Sequence, residues 1–160
     1  MCGIVGAIAE RNVVPILLEG LRRLEYRGYD SAGIAVLAAP QQINLLRRQG
    51  RVAVLAEGIA DSGIKGTLGL AHTRWATHGK PCEKNAHPHI IAKRIAIVHN
   101  GIIENYKQLQ ATLTSKDYQL NSDTDTEVMG ACIYELVAAG QPLLTAVMAV
   151  AKQSEGAYAI

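Results

Sequence analysis

Apolar positions along the chain follow two different spacings. Residues 3–9 are small and β-branched, which is typical of a buried strand that begins directly after Cys2. Residues 13–27 instead place valine and leucine side chains at helical spacing, with Pro15 near the start and Gly28 past the end, and predict an amphipathic helix. The same criteria predict further short strands at residues 33–38, 43–47, 67–72 and 94–99.

The second half of the chain is predicted to be mainly helical. Thr124 and Glu127 have the spacing of a capping box, and Pro142 suits the first turn of a last helix. Helices are predicted at residues 104–114, 125–139 and 143–152. Residues 156–160 look like the first part of a strand, so we expect a chain truncated from a larger protein. Several helices and many short strands without regular βαβ alternation predict a layered α+β fold with a largely antiparallel core.

Composition and charge narrow the class of protein. The chain has 160 residues, 49% of them hydrophobic, which suits one folded domain. Its net charge of +2 and its lack of Phe give neither a phosphate-binding stripe nor a stacking platform for nucleic acid. No apolar run reaches the length of a membrane span, and 3 widely spaced cysteines argue against a disulfide framework. We therefore expect a cytoplasmic protein that binds neither nucleic acid nor membrane.

Cys2 offers the most distinctive chemistry in the sequence. Once Met1 is removed, its thiol and its α-amino group belong to the same residue. The thiol can then attack a carbonyl carbon while the amine accepts and returns the proton. The alternative is structural, because cysteine is also among the most frequently buried small side chains. Cys2 is thus a candidate nucleophile or a core residue of the first strand.

All 5 histidines lie in a polar region between residues 72 and 100. One interpretation is a metal site formed by His78, Cys82, His87 and His89, although the spacing fits no finger or HExxH pattern. The alternative is that His87 and His89, on either side of a proline, organise a loop through backbone hydrogen bonds. We expect no metal, and no dinucleotide cofactor either, because the first glycines do not form GxGxxG.

Two further features suit a site for a small polar substrate. Asn100 and Gly101 follow an apolar strand, where a side-chain amide and an unhindered backbone N–H can stabilise one oxyanion, but Asn-Gly is equally typical of a hairpin turn. Arg74 can bind a carboxylate through its planar guanidinium, and Asp125, at a helix start, can bind an ammonium group. A surface salt bridge or a helix cap explains Arg74 and Asp125 equally well.

Several segments of the chain carry a family resemblance. In order, they are residues 2–6, 22–33, 71–79, 85–89, 99–105 and 122–127. Together they resemble the glutaminase domain of the glutamine–fructose-6-phosphate aminotransferases, or glucosamine-6-phosphate synthases, which are class II glutamine amidotransferases with an N-terminal nucleophile. Related amidotransferases share the N-terminal Cys-Gly and the Asn-Gly, whereas EYRGYDSAG and TRWATHG are specific to this family. The resemblance extends over the whole chain.

The resemblance implies roles for individual residues in the hydrolysis of glutamine. Cys2 would attack the side-chain amide and form a glutamyl thioester, with its own amine as the general base, and ammonia would leave first. Asn100 and the Gly101 N–H would stabilise the tetrahedral oxyanion. Arg74 would bind the α-carboxylate of the substrate and Asp125 its α-ammonium group. These two contacts would select glutamine over simple amides.

The resemblance implies a supporting role for other positions. A loop with Trp75, Thr77 and His78 would close over bound glutamine, and Trp75 would also control the passage of ammonia. Arg27 and Gly28 match a segment beside the nucleophile. No cofactor and no metal are implied.

The resemblance also implies an architecture and partners. The expected fold is an α+β, four-layer α/β/β/α sandwich of two mainly antiparallel sheets, with residues 1–160 as an incomplete glutaminase domain. The family's sugar-phosphate isomerase domain is absent from the chain. The partners would be L-glutamine here and fructose 6-phosphate only through that missing domain, in a homodimeric parent enzyme. The alternatives are a glutaminase domain serving another acceptor, such as phosphoribosyl diphosphate, and an inactive truncated fragment.

Overall fold

Four antiparallel strands form the main sheet in the computed structural model, which describes residues 2–27, 29–38, 42–75, 80–114 and 119–160. They are β1 (Gly3–Ile8), β2 (Ser31–Ala38), β3 (Gln42–Gln49) and β4 (Leu68–Arg74), in the spatial order β1-β4-β2-β3. All four were predicted, with small shifts at their ends. β1 and β2 are rich in β-branched and small apolar residues, which suit a pleated and half-buried surface, whereas β3 alternates apolar with polar and charged side chains less regularly.

Two helices cover one face of the main sheet. The predicted helix α1 (Val14–Leu24) is followed by one turn of 3₁₀ helix at Glu25–Arg27, and α2 (Val52–Ser62) lies beside it. Their buried side chains form one core with the sheet: Val14, Leu17, Leu21, Val52, Leu55 and Ile59 from the helices, and Ala32, Ile34, Val36 and Ala71 from β2 and β4. Because burial of these apolar faces drives folding, this core determines how the first half of the chain packs.

Helix α2 was not predicted from the sequence. Its first N–H groups have no side-chain cap from the neighbouring residue, and instead the Glu25 carboxylate accepts the Val52 N–H at 2.9 Å from a distant part of the chain. At the other end Gly63 adopts a left-handed conformation, φ 63°, and stops the helix. The helix therefore begins through a long-range contact that local sequence does not reveal.

The opposite face of the main sheet is covered by two short antiparallel ladders and the remaining helices. The ladders pair β5 (His89–Ile91) with β6 (Ile95–Ile97), and β7 (Asn100–Gly101) with β8 (Tyr158–Ala159). The helices are α3 (Tyr106–Ala111), α4 (Asp125–Ala138) and α5 (Leu143–Gln153). This is the expected four-layer α/β/β/α arrangement, with the second β layer present as two separate ladders among the described residues.

The two β layers approach each other closely at Gly33. A Cβ atom on Gly33 of β2 would lie 2.2 Å from the carbonyl oxygen of His87, which is shorter than any tolerated contact. The His72 ring of β4 also stacks on the His87 ring at 4.3 Å between centroids. The segment before β5 therefore rests directly on the main sheet, and glycine at this position is required for it.

Three local predictions for the helical half need correction. The capping box is wrong: the Thr124 side chain makes no cap bond, and Glu127 accepts the N–H groups of Asn121 and Ser122 instead. Thr124 Oγ1 is bonded to His89 Nε2 at 3.0 Å, so its hydroxyl is engaged elsewhere. Pro142 is the residue before α5 rather than part of its first turn. α3 is shorter than the predicted span 104–114.

Among the helices described, none is both long enough and apolar enough to cross a membrane.

Candidate active site

A polar cavity lies between the two β layers, at the end of β4. Its walls come from β4, from the segment that leads into β1, from β7 and from the start of α4. The lining residues are Cys2, His72, Arg74, Trp75, His87, His99, Gly101, Thr124, Asp125 and Thr126. The cavity thus brings together five candidates that the sequence proposed, from four separate parts of the chain: Cys2, Arg74, Trp75, Gly101 and Asp125.

The register of the main sheet places Cys2. Gly3 of β1 pairs with Thr73 of β4, so the preceding residue, Cys2, lies beside the end of β4. Its Sγ accepts the Trp75 N–H at 3.2 Å and lies 3.5 Å from the Trp75 carbonyl oxygen. Cys2 is partly exposed, unlike a core residue of a strand. The thiol is therefore fixed against the backbone at the cavity.

Asn100 and Gly101 form strand β7 and not a hairpin turn. Their partners in the ladder are Tyr158 and Ala159, far along the chain. Asn100 Nδ2 donates to the carbonyl oxygen of Cys2 at 3.3 Å. Gly101 has φ 123°, and a Cβ there would lie 2.3 Å from the Ala157 carbonyl oxygen, so only glycine fits. The pair thus lies next to the candidate nucleophile.

Arg74 and Asp125 are buried, which excludes the surface interpretations of both residues. Arg74 is 4% exposed, and its Nη1 lies 3.7 Å from Asp30 Oδ1. Asp125 does not cap α4: its Oδ2 accepts the Ile103 N–H at 2.8 Å, and its Oδ1 lies 3.8 Å from His99 Nδ1. A guanidinium and a carboxylate therefore line one small cavity, where opposite ends of a zwitterion can bind.

Buried histidines form the floor of the cavity and the layer behind it. The His87 Nδ1 accepts the His99 backbone N–H at 3.3 Å, and His99 Nδ1 lies 2.9 Å from Thr126 Oγ1. Because His87 Nδ1 is an acceptor, its proton is on Nε2, which faces Thr126 Oγ1 at 3.4 Å. His89 Nε2 is bonded to Thr124. The backbone hydrogen bond expected for a loop is therefore seen at His87, whereas the His89 ring bonds to a side chain.

The alternative of a metal site finds no support in these contacts. Among the described residues, no three His, Cys, Asp or Glu side chains are placed to share a metal ion. The ring nitrogens of His87 and His89 are bonded to protein groups instead. His78, the remaining histidine of that proposed set, lies outside the described residues.

Burial keeps the histidines of this layer uncharged. It lowers the pKa of His72 to about 4 and that of His89 to about 3. It lowers the pKa of His87 as well, and that of His99 despite the opposing effect of the Asp125 carboxylate. These rings are therefore neutral near pH 7, and any proton they accept costs free energy of folding.

We expect the protein to lose stability between about pH 7 and pH 5, before most carboxylates titrate. Below a pKa of about 6.5 the unfolded chain protonates its histidines, whereas the folded chain with lowered pKa values does not, so unfolding takes up protons. His72 and His89, with pKa values of about 4 and 3, each reduce the free energy of unfolding by up to about 1.4 kcal/mol per pH unit in this range. Urea unfolding at several pH values measures the slope. His89→Gln, which keeps a donor toward Thr124, should show a shallower slope, and an unchanged slope in this variant contradicts the explanation.

The other residues that the sequence proposed for the site lie at the rim of the cavity, away from it, or outside the described residues. Trp75 is at the rim of the cavity and is 54% exposed. Arg27 ends the 3₁₀ turn and is exposed, and it is not a lining residue. Gly28, Thr77 and His78 lie outside the described residues, so their predicted roles stay predictions.

Sequence reasoning missed several residues of the site. His72 lies two residues before Arg74 on β4, so strand alternation places both on one face, and this signal could have identified it. Asp30 precedes β2 and pairs with Arg74 through a register that no local pattern reveals. Thr124 and Thr126 line the cavity from the start of α4. The sequence indicated a helix cap at Thr124 and assigned no site role to Thr126, although both lie in the 122–127 segment that carries the family resemblance.

Comparison with models of known protein families gives the class to which this fold and site belong. Residues 56–156 match the glutamine amidotransferase domain. The chain belongs to this family, and the resemblance inferred from its motifs is confirmed.

Comparison with individual proteins shows a more specific relationship. The chain is 56% identical to the glutamine–fructose-6-phosphate aminotransferase (isomerizing) of Acinetobacter baylyi over all of its length and 26% of that protein's. It is 52% identical, with the same coverage, to the enzymes of that name from Legionella pneumophila strain Paris and from Pseudomonas aeruginosa. The chain thus spans about a quarter of the length of the curated relatives it matches.

Solved structures share the fold. The glutamine phosphoribosylpyrophosphate amidotransferase of B. subtilis, complexed with ADP and GMP, matches with a TM-score of 0.77 and 25% identity, over 98% of this chain and 33% of that one. An allosteric regulatory enzyme of purine biosynthesis matches with the same TM-score of 0.77 and 26% identity, over 99% of this chain and 34% of that one. Both likenesses cover nearly the whole chain and confirm the expected fold class.

Proposed function

We propose that the chain hydrolyses the side-chain amide of L-glutamine through a thioester on Cys2 and releases ammonia and glutamate. The observation that carries the proposal is the cavity itself, which brings together a thiol, a guanidinium and a carboxylate, with the Asn100 amide hydrogen-bonded to the Cys2 carbonyl oxygen beside it. Each of these groups matches one part of glutamine or one step of acyl transfer. Membership of the glutamine amidotransferase family supports the same reaction.

The first chemical step is attack of Cys2 Sγ on the amide carbon of glutamine. After removal of Met1, the α-amine of Cys2 takes the thiol proton and then delivers a proton to the leaving nitrogen, so that ammonia departs. The negative charge that develops on the amide oxygen is stabilised by the Asn100 Nδ2 and the Gly101 N–H. One such donor typically contributes about 3–4 kcal/mol in the transition state.

The second step is hydrolysis of the glutamyl thioester. A water molecule attacks the same carbon, the amine again accepts a proton, and the thiol leaves as glutamate is formed. The same two donors stabilise this second oxyanion. Trp75 at the cavity rim, with Thr77 and His78 in the adjoining segment, would restrict the access of free water during the first step.

Substrate selection depends on the two buried charges. Arg74 offers a planar fork that can form paired hydrogen bonds with the α-carboxylate of glutamine. Asp125 Oδ2 is occupied by the Ile103 N–H, which fixes the carboxylate and directs Oδ1 toward the α-ammonium group. Both side chains are buried and held by neighbouring groups, Arg74 beside Asp30 and Asp125 by the Ile103 N–H. A ligand that lacks the carboxylate or the ammonium group therefore loses one charge-assisted contact.

The whole protein to which this chain would belong is proposed from the names of its relatives. At 52–56% identity those relatives are glutamine–fructose-6-phosphate aminotransferases, so the ammonia would pass to fructose 6-phosphate on a further domain and give glucosamine 6-phosphate. Residues 1–160 would be the glutaminase domain of a cytoplasmic homodimer. Phosphoribosyl diphosphate is the less favoured acceptor, because the amidotransferase named for it is only 25% identical.

The test of this proposal measures glutamate released from glutamine by the Met1-free protein and by Asp125→Asn. Asparagine still accepts the Ile103 N–H but carries no charge, so we expect KM for glutamine to rise by about 10–100-fold. With 4-carbamoylbutanoate, which lacks the α-ammonium group, the two proteins should be equally slow. Absence of glutamate release by the unaltered protein contradicts the proposed reaction, and an equal loss on both substrates contradicts the role of Asp125.

A further inference from the structure

His72 connects the main sheet to Asn100, and the mechanism above gives it no role. It lies within β4, opposite Gly33 of β2, and is 1% exposed. Its Nε2 is 2.7 Å from Asn100 Oδ1 and 3.1 Å from the His99 carbonyl oxygen. Building on the proposed function, we propose that His72 is a positioning residue that orients the Asn100 amide, so that its N–H groups face the carbonyl under attack by Cys2.

The contacts of the His72 ring determine where its proton lies. Both atoms near Nε2, Asn100 Oδ1 and the His99 carbonyl oxygen, can only accept hydrogen bonds in this geometry. The ring must therefore carry its proton on Nε2, because the other tautomer would point a lone pair at two oxygens. Nδ1 is buried with no hydrogen-bond partner in the part of the chain that the structure describes. The Nε2–H tautomer is the one that satisfies the contacts.

The proton on His72 in turn determines the orientation of Asn100. An asparagine amide has one oxygen acceptor and one nitrogen donor, and rotation by half a turn about its terminal bond exchanges them at little intrinsic cost. With Oδ1 bonded to His72, Nδ2 is on the opposite side, where it donates to the Cys2 carbonyl oxygen at 3.3 Å. A reversed amide would place an oxygen next to the developing oxyanion and would repel it.

The surroundings of His72 keep its ring in one place and one protonation state. The His87 ring stacks on it at 4.3 Å, and His87 is itself fixed by the His99 backbone N–H. Burial lowers the pKa of His72 to about 4, although its bonds to Asn100 and to the His99 carbonyl oppose this. The ring is therefore neutral near pH 7, and its hydrogen-bonding pattern does not change by protonation in that range.

A general base is the other role that a histidine near Cys2 could have, and two observations argue against it. The nitrogen with the proton is engaged with Asn100 and the His99 carbonyl. Because the pKa of His72 is lowered to about 4, its neutral ring is also too weak a base to accept the proton of a thiol efficiently. The geometry thus favours action through Asn100 over direct proton transfer.

The experiment compares two amide replacements of nearly equal polarity, His72→Gln and His72→Asn. Glutamine places its NH₂ near the position of Nε2 and can still donate to Asn100 Oδ1, whereas asparagine reaches only the position of Nδ1. We expect His72→Gln to keep most of kcat with L-γ-glutamyl p-nitroanilide and His72→Asn to lose about 10–100-fold in kcat, with KM nearly unchanged. Equal losses in the two variants overturn the proposal.

A double-mutant cycle tests whether the effect passes through Asn100. In the Asn100→Ala background, His72→Asn should lower kcat by less than about 2-fold, because the donor that it orients is already gone. Alkylation of Cys2 by iodoacetamide forms no oxyanion, so its rate should be unchanged in His72→Asn. An undiminished loss in the Asn100→Ala background, or equally slow alkylation, overturns the positioning role.

One measurement separates this proposal from the proposed function. Long-range proton–nitrogen correlation NMR reports the tautomer of His72 without any turnover. We expect proton attachment at Nε2, and attachment at Nδ1 overturns the inference even in a protein that hydrolyses glutamine. If the unaltered protein releases no glutamate, the proposed function fails. The Nε2–H tautomer of His72, together with reorientation of the Asn100 amide in His72→Asn, would still support the claim that His72 orients Asn100.

Discussion

Cys2→Ala is expected to lower kcat for glutamine hydrolysis by about 10⁴-fold or more, to the limit of detection. The reason is that no other thiol lines the cavity within the described residues, and without Sγ no thioester forms. We expect loss of the nucleophile to leave glutamine binding intact, because in the proposed mode of binding Arg74 and Asp125 would contact the far end of the substrate. Steady-state glutamate release measures the first effect, and isothermal titration of glutamine into the inactive variant measures the second.

Cys82→Ala is the matched control for this prediction. Cys82 is also a partly exposed free thiol, but it is not among the residues that line the cavity. It should therefore retain the activity of the unaltered protein. Cys132 is buried, and burial raises the pKa of its thiol to about 11, so it cannot replace Cys2 as a nucleophile. Activity that survives in Cys2→Ala would contradict the mechanism.

Arg74→Met is expected to lower kcat/KM for glutamine by about 10²–10³-fold. Methionine has a similar length but removes the buried guanidinium, so the α-carboxylate of the substrate would enter the cavity without a partner. The effect should disappear with 4-aminobutanamide, which keeps the amide and the ammonium group but has no carboxylate. Kinetics with both substrates make the comparison.

Arg23→Met serves as the control for the loss of one positive charge. Arg23 is exposed on α1 and pairs with Glu19, far from the cavity, so kcat/KM should not change. Since Arg74 also lies next to Asp30, the urea midpoint of Arg74→Met has to be compared with that of the unaltered protein. An equal loss on glutamine and on 4-aminobutanamide would show that Arg74 acts on the fold and not on the carboxylate.

The elements with strong local patterns could be predicted from the sequence. Residues 3–9 and 13–27 gave β1 and α1 because continuous apolar residues and helical spacing each have one clear interpretation. The helix α2 was missed, although Val52, Leu55 and Ile59 face the core, because its start depends on the Glu25 carboxylate from elsewhere in the chain. The short strands β5 and β7 were missed as well, because a ladder of two or three residues leaves almost no pattern.

The candidate site could be predicted in part, through the family resemblance. Cys2, Arg74, Gly101 and Asp125 line one cavity, as the resemblance implied, and spacing alone could not have placed them together. The capping box at Thr124 failed because tertiary contacts competed for the same hydroxyl and carboxylate. Strand alternation could have placed His72 on the same face as Arg74, but its contact with Asn100, 28 positions away, leaves no local pattern.

The central claim is that Cys2 becomes acylated by glutamine, and its most direct test is a mass measurement. Met1-free protein is mixed with glutamine, quenched in acid while turnover continues, digested, and the N-terminal peptide is weighed. Our account predicts a glutamyl adduct on the peptide that begins with Cys2, absent from Cys2→Ala and lost on treatment with hydroxylamine. Glutamate release without any adduct on that peptide, or an adduct on Cys82 or Cys132, would contradict it.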